Sequence, residues 1–359
     1  MGRLLTVGAI LAVAVGAVLF VRGEIPCDVV SLQPSCDVTL APGPTEDILE
    51  LVTFDGTDSY PPSDGELQLT TVAVKDELSL GDWLDGRTSD LVEVVPRETV
   101  YPEGTDEAEV AELNAAAMDD SQLVATVAAL ERVGYELDPQ GALVAGVAED
   151  AVTDELAVDE VIVGVDGEPV EESADVVEEV GAHSPGDRLV LDVRGEDDED
   201  DERQIEVTLG SSPDDPDRGY IGVFLTTDLD LPVDVDIDAG SIGGPSAGLM
   251  FALSIIELLE PDDLIDGRVV AGTGTLDHEG EVGAVGGVRQ KVTAVTTGDD
   301  GARAEVFLVP RDNLGDARQA PVGEDLLVVP VDTIDDAISA LEALADGREP
   351  EDAELLAAP

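Results

Sequence analysis

Two segments of the chain each set one chemically useful side chain at the mouth of an apolar helix. Residues 243–256 read GGPSAGLMFALSII and place Ser246 after the pair Gly243-Gly244. Residues 281–296 read EVGAVGGVRQKVTAVT and place Lys291 after the pair Gly286-Gly287. A serine hydroxyl is a poor nucleophile until a base takes its proton. Bases are scarce here: the histidines are His183 and His278, the lysines are Lys75 and Lys291, and every other basic residue is an arginine, which does not deprotonate. Helix N-termini are electropositive, and burial adds a further penalty on an ammonium ion. Lys291 is therefore a candidate neutral amine near pH 7, able to accept the Ser246 proton. The loop of Gly244, Pro245 and Ala247 would then support the oxyanion with backbone amides. Read singly, Ser246 is an ordinary helix cap and Lys291 an ordinary surface lysine; the paired glycine entrances favour one site.

The elements that must position these residues follow from periodicity. ELQLTTVAV (Glu66 to Val74) alternates and is rich in Thr and Val, which predicts a strand. Glu107 to Gly134 has helical spacing, with Leu123, Val127 and Leu130 on one stripe. Residues 141–170, GALVAGVAEDAVTDELAVDEVIVGVDGEPV, read strand, short helical turn and strand, with VDGEPV closing a hairpin. A helix (Ser173 to Val180) and a strand (Arg188 to Arg194) come next. EDDEDDE (196–202) reads as a solvated hairpin tip and SSPDDPDRG (211–219) as a linker. Beyond it, Arg268 to Leu276 predicts a strand that DHEGEV turns back, and Val288 to Thr297 a helix. Glu305 to Val309 and Leu326 to Val331 predict strands. Thr333 to Ala345 predicts a last helix, with Asp335 and Asp336 in the first turn, where the helix dipole favours them. The pattern is α+β, without an internal repeat.

The 359 residues leave room for two or three domains. Hydrophobic residues make up 43% and aromatics 3%, so the core is built from Val, Leu, Ile and Ala. The net charge of −65 repels phosphate backbones and excludes nucleic acid as a partner. It reads as a solvated acidic surface suited to a salty medium. Residues 4–21, LLTVGAILAVAVGAVLFV, are uncharged and long enough to cross a bilayer as a helix. No A-x-A site follows, which favours an uncleaved anchor over a removed signal. After Arg22 the next basic residue is Lys75, so the positive-inside rule places the body outside the cytoplasm. Cys27 and Cys36, the only cysteines, suit a small disulfide loop in an oxidising compartment; two free thiols are the alternative. Residues 23–64, with APGPTED and SYPPSDG, read as an extended stalk.

Residues 131–210 resemble a PDZ domain of the bacterial protease-associated type, through GALVAGV (141–147), DEVIVGVDG (159–167) and PGDRLVLDVR (185–194). That resemblance implies capture of a peptide C-terminus as an added strand. Its carboxylate would lie at Gly134-Tyr135-Glu136-Leu137, where Glu136 would repel it. Gly-Pro-Ser-Ala-Gly before an apolar helix, followed by Gly-Gly-x-x-x-Lys, resembles the proteolytic domain of Lon-type serine–lysine proteases. This second likeness runs through AGTGTL (271–276), VFLVPRDN (306–313) and VPVDTIDDAI (329–338) and covers about residues 219–345. It implies a ribosomal protein S5 domain 2-like fold, with Ser246 as nucleophile and Lys291 as general base. Lon proteases commonly carry Asp three residues before the serine, where this chain has Gly243. They also carry a threonine near the lysine; the aligned position is Ala271, with Thr273 and Thr275 close by. No Gly-Lys-Ser/Thr of a Walker A motif is present, so neither ATP nor another cofactor is expected, and no metal.

The combination of anchor, PDZ-like part and Lon-like part resembles the membrane-anchored, PDZ-containing Lon-like proteins of Gram-positive bacteria. It implies a single-pass membrane endopeptidase acting without ATP on unfolded or flexible extracytoplasmic polypeptides, with the PDZ domain presenting substrate. The expected organisation is an anchor (1–22), a stalk and N-terminal α/β segment (23–130), a PDZ-like domain (131–210), a linker (211–218), the proteolytic domain (219–347) and a tail (348–359). A homo-oligomer stays open. Two rivals remain. G-P-S-A-G also fits the G-x-S-x-G elbow of α/β-hydrolases, which would need a strand just before Ser246 and His278 as base. A peptide-binding scaffold with an inactive protease domain is the other.

Overall fold

The computed structural model describes residues 36–357, apart from 62–63, 103–104, 106, 149–150, 196–197, 213–214, 241, 298–302 and 324. Strands β1 (Asp37–Asp47), β2 (Val52–Asp55), β3 (Glu66–Lys75) and β4 (Glu93–Pro96) and helix α1 (Glu107–Arg132) come first. β5 (Asp138–Val147), β6 (Glu160–Val165), α2 (Ser173–Ala182), β7 (Arg188–Gly195), β8 (Asp198–Thr208) and β9 (Val223–Asp230) follow. The chain then runs through β10 (Asp234–Ile237), α3 (Gly248–Leu259), β11 (Val269–Gly272), α4 (Val288–Thr297), β12 (Val306–Pro310), β13 (Leu326–Val331), α5 (Ile334–Ala345) and β14 (Glu354–Leu356). These elements form two compact units. One takes the chain up to Gly134 and again from Val233, and the other is Tyr135–Pro232.

The first unit is built on a seven-stranded sheet in the order β14-β13-β12-β11-β3-β1-β4. Its centre is parallel, β11 pairing with β3 on one side and β12 on the other. Central parallel strands are covered on both faces and so read as continuous apolar runs. In Val306–Pro310, accordingly, Val306 and Leu308 join the core around α3, while Phe307 and Val309 join the core under α4. Helix α3 is buried along nearly its whole length, which explains an apolar sequence with no polar face. Helix α1 packs on it through Val124, Ala125 and Ala128. Val127 and Leu130 of the expected stripe are also buried, but Leu123 is exposed, because the inward face is filled by alanines that a search for large residues passes over.

Several expected boundaries are corrected. Residues 36–130 are not a stalk with a separate segment: β1, β3 and β4 are strands of the seven-stranded sheet itself, and the Pro- and Gly-rich APGPTED lies within β1, with a bulge between Pro42 and Thr45. Residues 348–359 are not a free tail, since Glu354–Leu356 pairs antiparallel with β13. The strand expected over Arg268 to Leu276 is broken after Gly272, because Gly274 takes φ +155° and Thr275–Leu276 pairs with Val282–Gly283 instead.

The second unit is an antiparallel sheet in the order β9-β5-β6-β7-β8 with α2 over its core, through Val176 and Val180. Its antiparallel strands β5 and β6 and the turn at Asp166 and Gly167, two residues at positive φ, match the expected pattern, but no helical turn lies between the two strands among the described residues. The segment expected as a linker starts and ends in paired backbone within this unit, for Ser211 pairs with Gly219. Residues 219–230 also belong here, since β9 pairs along β5. Turn-forming residues mark a sharp reversal as readily as a hinge.

Cys36 is disulfide-bonded; Cys27, the chain's other cysteine, lies outside the described residues. The expected anchor, residues 4–21, lies outside them too. Among the described residues no helix is long and apolar enough to cross a membrane.

Candidate active site

The loop before α3 is held from α1, an element outside the motif. The Gly244 amide, at φ +91°, donates to the Asn114 carbonyl at 2.8 Å. The buried Ser121 hydroxyl donates to the Pro245 carbonyl at 3.1 Å. Ala247 is the N-cap of α3, and no side chain caps that helix. Ser246 is thus not the cap it resembles in sequence. Its carbonyl accepts from the Gly274 amide and from the Thr273 hydroxyl, both at 2.9 Å, and its own hydroxyl is left to face a neighbour.

That neighbour is Lys291. Its Nζ lies 2.7 Å from Ser246 Oγ and 2.8 Å from Thr273 Oγ1. Helix α4 starts just past Gly287, and the Lys291 amide closes its first turn onto the Gly287 carbonyl, so the side chain leaves from the first turn. Lys291 is 3% exposed, and among the described residues no carboxylate pairs with it. Burial alone pushes the amine from 10.5 down to about 8, since the charged form loses its hydration. Thr273 fixes the orientation of this amine. Its one hydroxyl proton goes to the Ser246 carbonyl, so towards Lys291 it can only accept. A lysine N–H is thereby committed to Thr273, and the lone pair of the neutral amine is free for the Ser246 proton. Ser246 and Lys291 open on a cavity of about 430 Å³, walled by Leu69, Thr70, Val72, Met118 and Ile242.

The other expected residues fall out as follows. Thr273 joins the site, whereas Thr275 pairs with Gly283 in the following hairpin and Ala271 is buried under α4. Gly244 cannot serve an oxyanion, because its N–H is already spent on Asn114, and Pro245 has no N–H; both shape the loop, and of the three only Ala247 is left as a candidate for that role. Gly243 packs against Asn114, where a Cβ would come within 3.1 Å of the Asn114 Cβ. His278 is exposed in the Asp277–Gly280 turn, and His183 is half-buried at the end of α2, its ring 2.9 Å from the Glu179 carbonyl. Neither is bonded to Ser246, so the hydrolase elbow lacks its base. Asn114, Met118 and Ser121 were not foreseen. Nothing in NAAAMDDSQ distinguishes them from any helix face.

The second unit has a smaller cavity of about 230 Å³ between α2 (Val176, Val180) and the segment Gly219–Leu225, beside β9, the outer strand of its sheet. Gly134, Tyr135, Glu136 and Leu137 do not line it. They lead from the end of α1 into β5, so the carboxylate loop expected there is misplaced.

Residues 225–344 match the Lon protease (S16) C-terminal proteolytic domain. The domain is present in this chain and marks it as carrying a serine peptidase fold. The Lon protease of Xanthomonas oryzae pv. oryzae is 35% identical over 125 residues, which are 34% of this chain and 14% of that protein. The Lon protease of Vibrio parahaemolyticus is 34% identical over 123 residues, 33% of this chain and 15% of that protein. The chain therefore spans about 14% of the length of the relatives it matches. Among solved structures, the PDZ domain of an SdrC-like protein from Listeria monocytogenes is 20% identical, covering 24% of this chain and 87% of that one with a TM-score of 0.21.

Proposed function

We propose that this chain is a serine endopeptidase in which neutral Lys291 acts as the base for Ser246. The observation that carries the reading is the 2.7 Å contact between Lys291 Nζ and Ser246 Oγ, made by an amine that burial brings to about 8. Lys291 takes the hydroxyl proton as Ser246 Oγ attacks the scissile carbonyl. The lysinium then returns that proton to the departing amine, and water releases the acyl group by the same route. A trans peptide points its C=O and N–H in opposite directions. The bonds that turn the Ser246 carbonyl onto Thr273 and Gly274 therefore turn the Ala247 N–H away from them, and we assign it to the oxyanion.

The substrate is an unfolded or flexible polypeptide, since only an extended segment reaches a half-buried serine inside the cavity. ATP is not required, because the 359 residues contain no Walker A motif. Residues 4–21 hold the enzyme to the membrane with its bulk outside the cytoplasm, and the cavity of the second unit presents substrate C-termini along the edge of β9. Digestion of unfolded casein by the full-length chain without nucleotide tests the chemistry. Activity should vanish in Ser246→Ala and in Lys291→Ala; a fully active Lys291→Ala would sink the assignment, and an inert wild-type protein would leave a peptide-binding scaffold.

A further inference from the structure

We propose that Asn313 is a positioning residue for the Lys291 base, clamping the loop from which α4 starts, a role that rests on the peptidase reading. An asparagine just before a helix is ordinarily an N-cap, its side chain accepting from the first turn. Asn313 stands at the N-cap of the short helix Leu314–Ala317 and makes no such bond. Its side chain turns instead to Val285, 28 residues back along the chain. Oδ1 accepts from the Val285 amide at 2.7 Å, and Nδ2 donates to the Val285 carbonyl at 3.1 Å. The orientation of the carboxamide is forced, since only its oxygen can face an N–H and only its nitrogen a C=O. Asn313 is buried, and the Val285 side chain packs on the core that also takes Val288 and Val292 of α4.

Val285 needs such a partner because the strand pairing ends before it. Val282–Gly283 pairs with Thr275–Leu276, and α4 begins only at Val288. Between them, one side chain gives Val285 both the donor and the acceptor that a neighbouring strand would supply. Gly286 and Gly287 then lead into the helix. Gly286 lines the cavity, and Gly287 takes φ +70° against Val72, whose Cγ2 a Cβ would approach to 2.5 Å. Two glycines have wide backbone freedom, so the helix start is fixed only if the residue before them is fixed. The Gly287 carbonyl accepts from the Lys291 amide at 3.0 Å, which joins the clamp to the base. From that turn Nζ must reach Ser246 Oγ at 2.7 Å and Thr273 Oγ1 at 2.8 Å. A misplacement of about 1 Å at such a site can cost about a hundredfold in rate. Asn313 bonds none of the reacting atoms and acts through Val285.

The test compares the full-length wild type with Asn313→Ala on unfolded casein, each protein first shown by circular dichroism and thermal melting to be folded. The variant should lose about ten- to a hundredfold in kcat while KM stays within about threefold. The midpoint of its kcat/KM against pH should also move from about 8 towards 10.5, as the displaced amine regains water. An unchanged kcat overturns the inference. So does a fall in kcat with the midpoint still near 8 or with a matching rise in KM, which would make Asn313 a stabilising residue only. If the alanine variant does not fold, Asn313→Leu, which fills similar space without the two bonds, takes its place. Should neither fold, the Val285 amide of the wild type decides: it should exchange its hydrogen at least about tenfold more slowly than in the unfolded chain, and exchange at the unfolded rate overturns the clamp. A wild type that cleaves nothing would refute the peptidase reading, whereas the Val285 exchange would still judge the clamp.

Discussion

Replacing Lys291 by methionine should abolish catalysis and at the same time stabilise the fold. The side chain is 3% exposed, and burial lowers its pKa from 10.5 to about 8. At 1.36 kcal/mol per pKa unit, that fall corresponds to about 3 kcal/mol by which folding disfavours the ammonium. Because the folded-state value is the lower one, the whole penalty is present below about pH 8, where both states are protonated. Between about 8 and 10.5 the unfolded chain keeps a proton that the folded chain has released, so stability rises with pH and the penalty is gone near 10.5. Methionine fills similar space and never titrates. It also removes the bonds to Ser246 and Thr273, each worth about 0.5–1.5 kcal/mol, so the net gain at pH 7 is about 0–2 kcal/mol. Urea unfolding, followed through Trp83, the single tryptophan and one placed in the same unit as Lys291, gives the difference between the two proteins at pH 7, 8, 9 and 10. Shared titrations cancel in that difference. A variant less stable than wild type at pH 7, or a gap that does not shrink between pH 8 and 10, would refute the account of how this lysine is kept neutral.

Other expectations follow from the same contacts. The kcat/KM of the wild type should rise with pH to a plateau with a midpoint near 8, the Lys291 value, and a midpoint near 10 would mean the amine is not desolvated in solution. Ser246→Ala and Lys291→Ala should each cost on the order of 10⁴ or more in kcat without adding in the double variant, since the two act as a unit. Thr273→Val should lower kcat roughly ten- to a hundredfold by freeing the amine to rotate, part of what a positioned base contributes, whereas Thr275→Val should leave it unchanged. The melting temperature should climb from low salt to about molar salt, because counterions screen the repulsion within a chain of net charge −65; a flat or falling curve would show that the acidic surface opposes nothing.

The serine and the lysine were legible because their chemistry is unusual for their setting: a hydroxyl at the entrance of an apolar helix, and one of two lysines in a chain whose few cationic residues are otherwise arginines. The threonine was legible only as a pair of neighbours. Thr273 and Thr275 lie on the same side of an extended chain, and what separates them is the break at Gly274, where φ +155° sends the second into a hairpin. A glycine in a strand pattern signals such a departure without saying where the chain goes. Strand β3 was recognised from its alternation, but its place in the sheet was not, because pairing with β11, far along the sequence, leaves no local mark. The same limit hid Ser121 and Asn114, whose side chain and carbonyl act on a loop more than a hundred residues later.

The misplaced boundaries share one cause. Prolines, glycines and aspartates in APGPTED and SSPDDPDRG read as signs of chain leaving a domain, yet the first lies in a bulged strand and the second is flanked by backbone paired inside one unit. Composition reports that a segment cannot continue regular structure; only long-range pairing reports whether the chain comes back. It comes back in both cases, and in the first the consequence is chemical. The peptidase unit is not residues 225–344 alone, since its sheet needs β1, β3 and β4 and its serine loop needs α1. A fragment starting at Gly219 would lack the helix that holds Gly244 and Pro245, and the strand edge that walls the cavity. It would also carry β9 without β5, its partner strand. Ser246 and Lys291 would both be present in such a fragment, and the elements that bring them together would not.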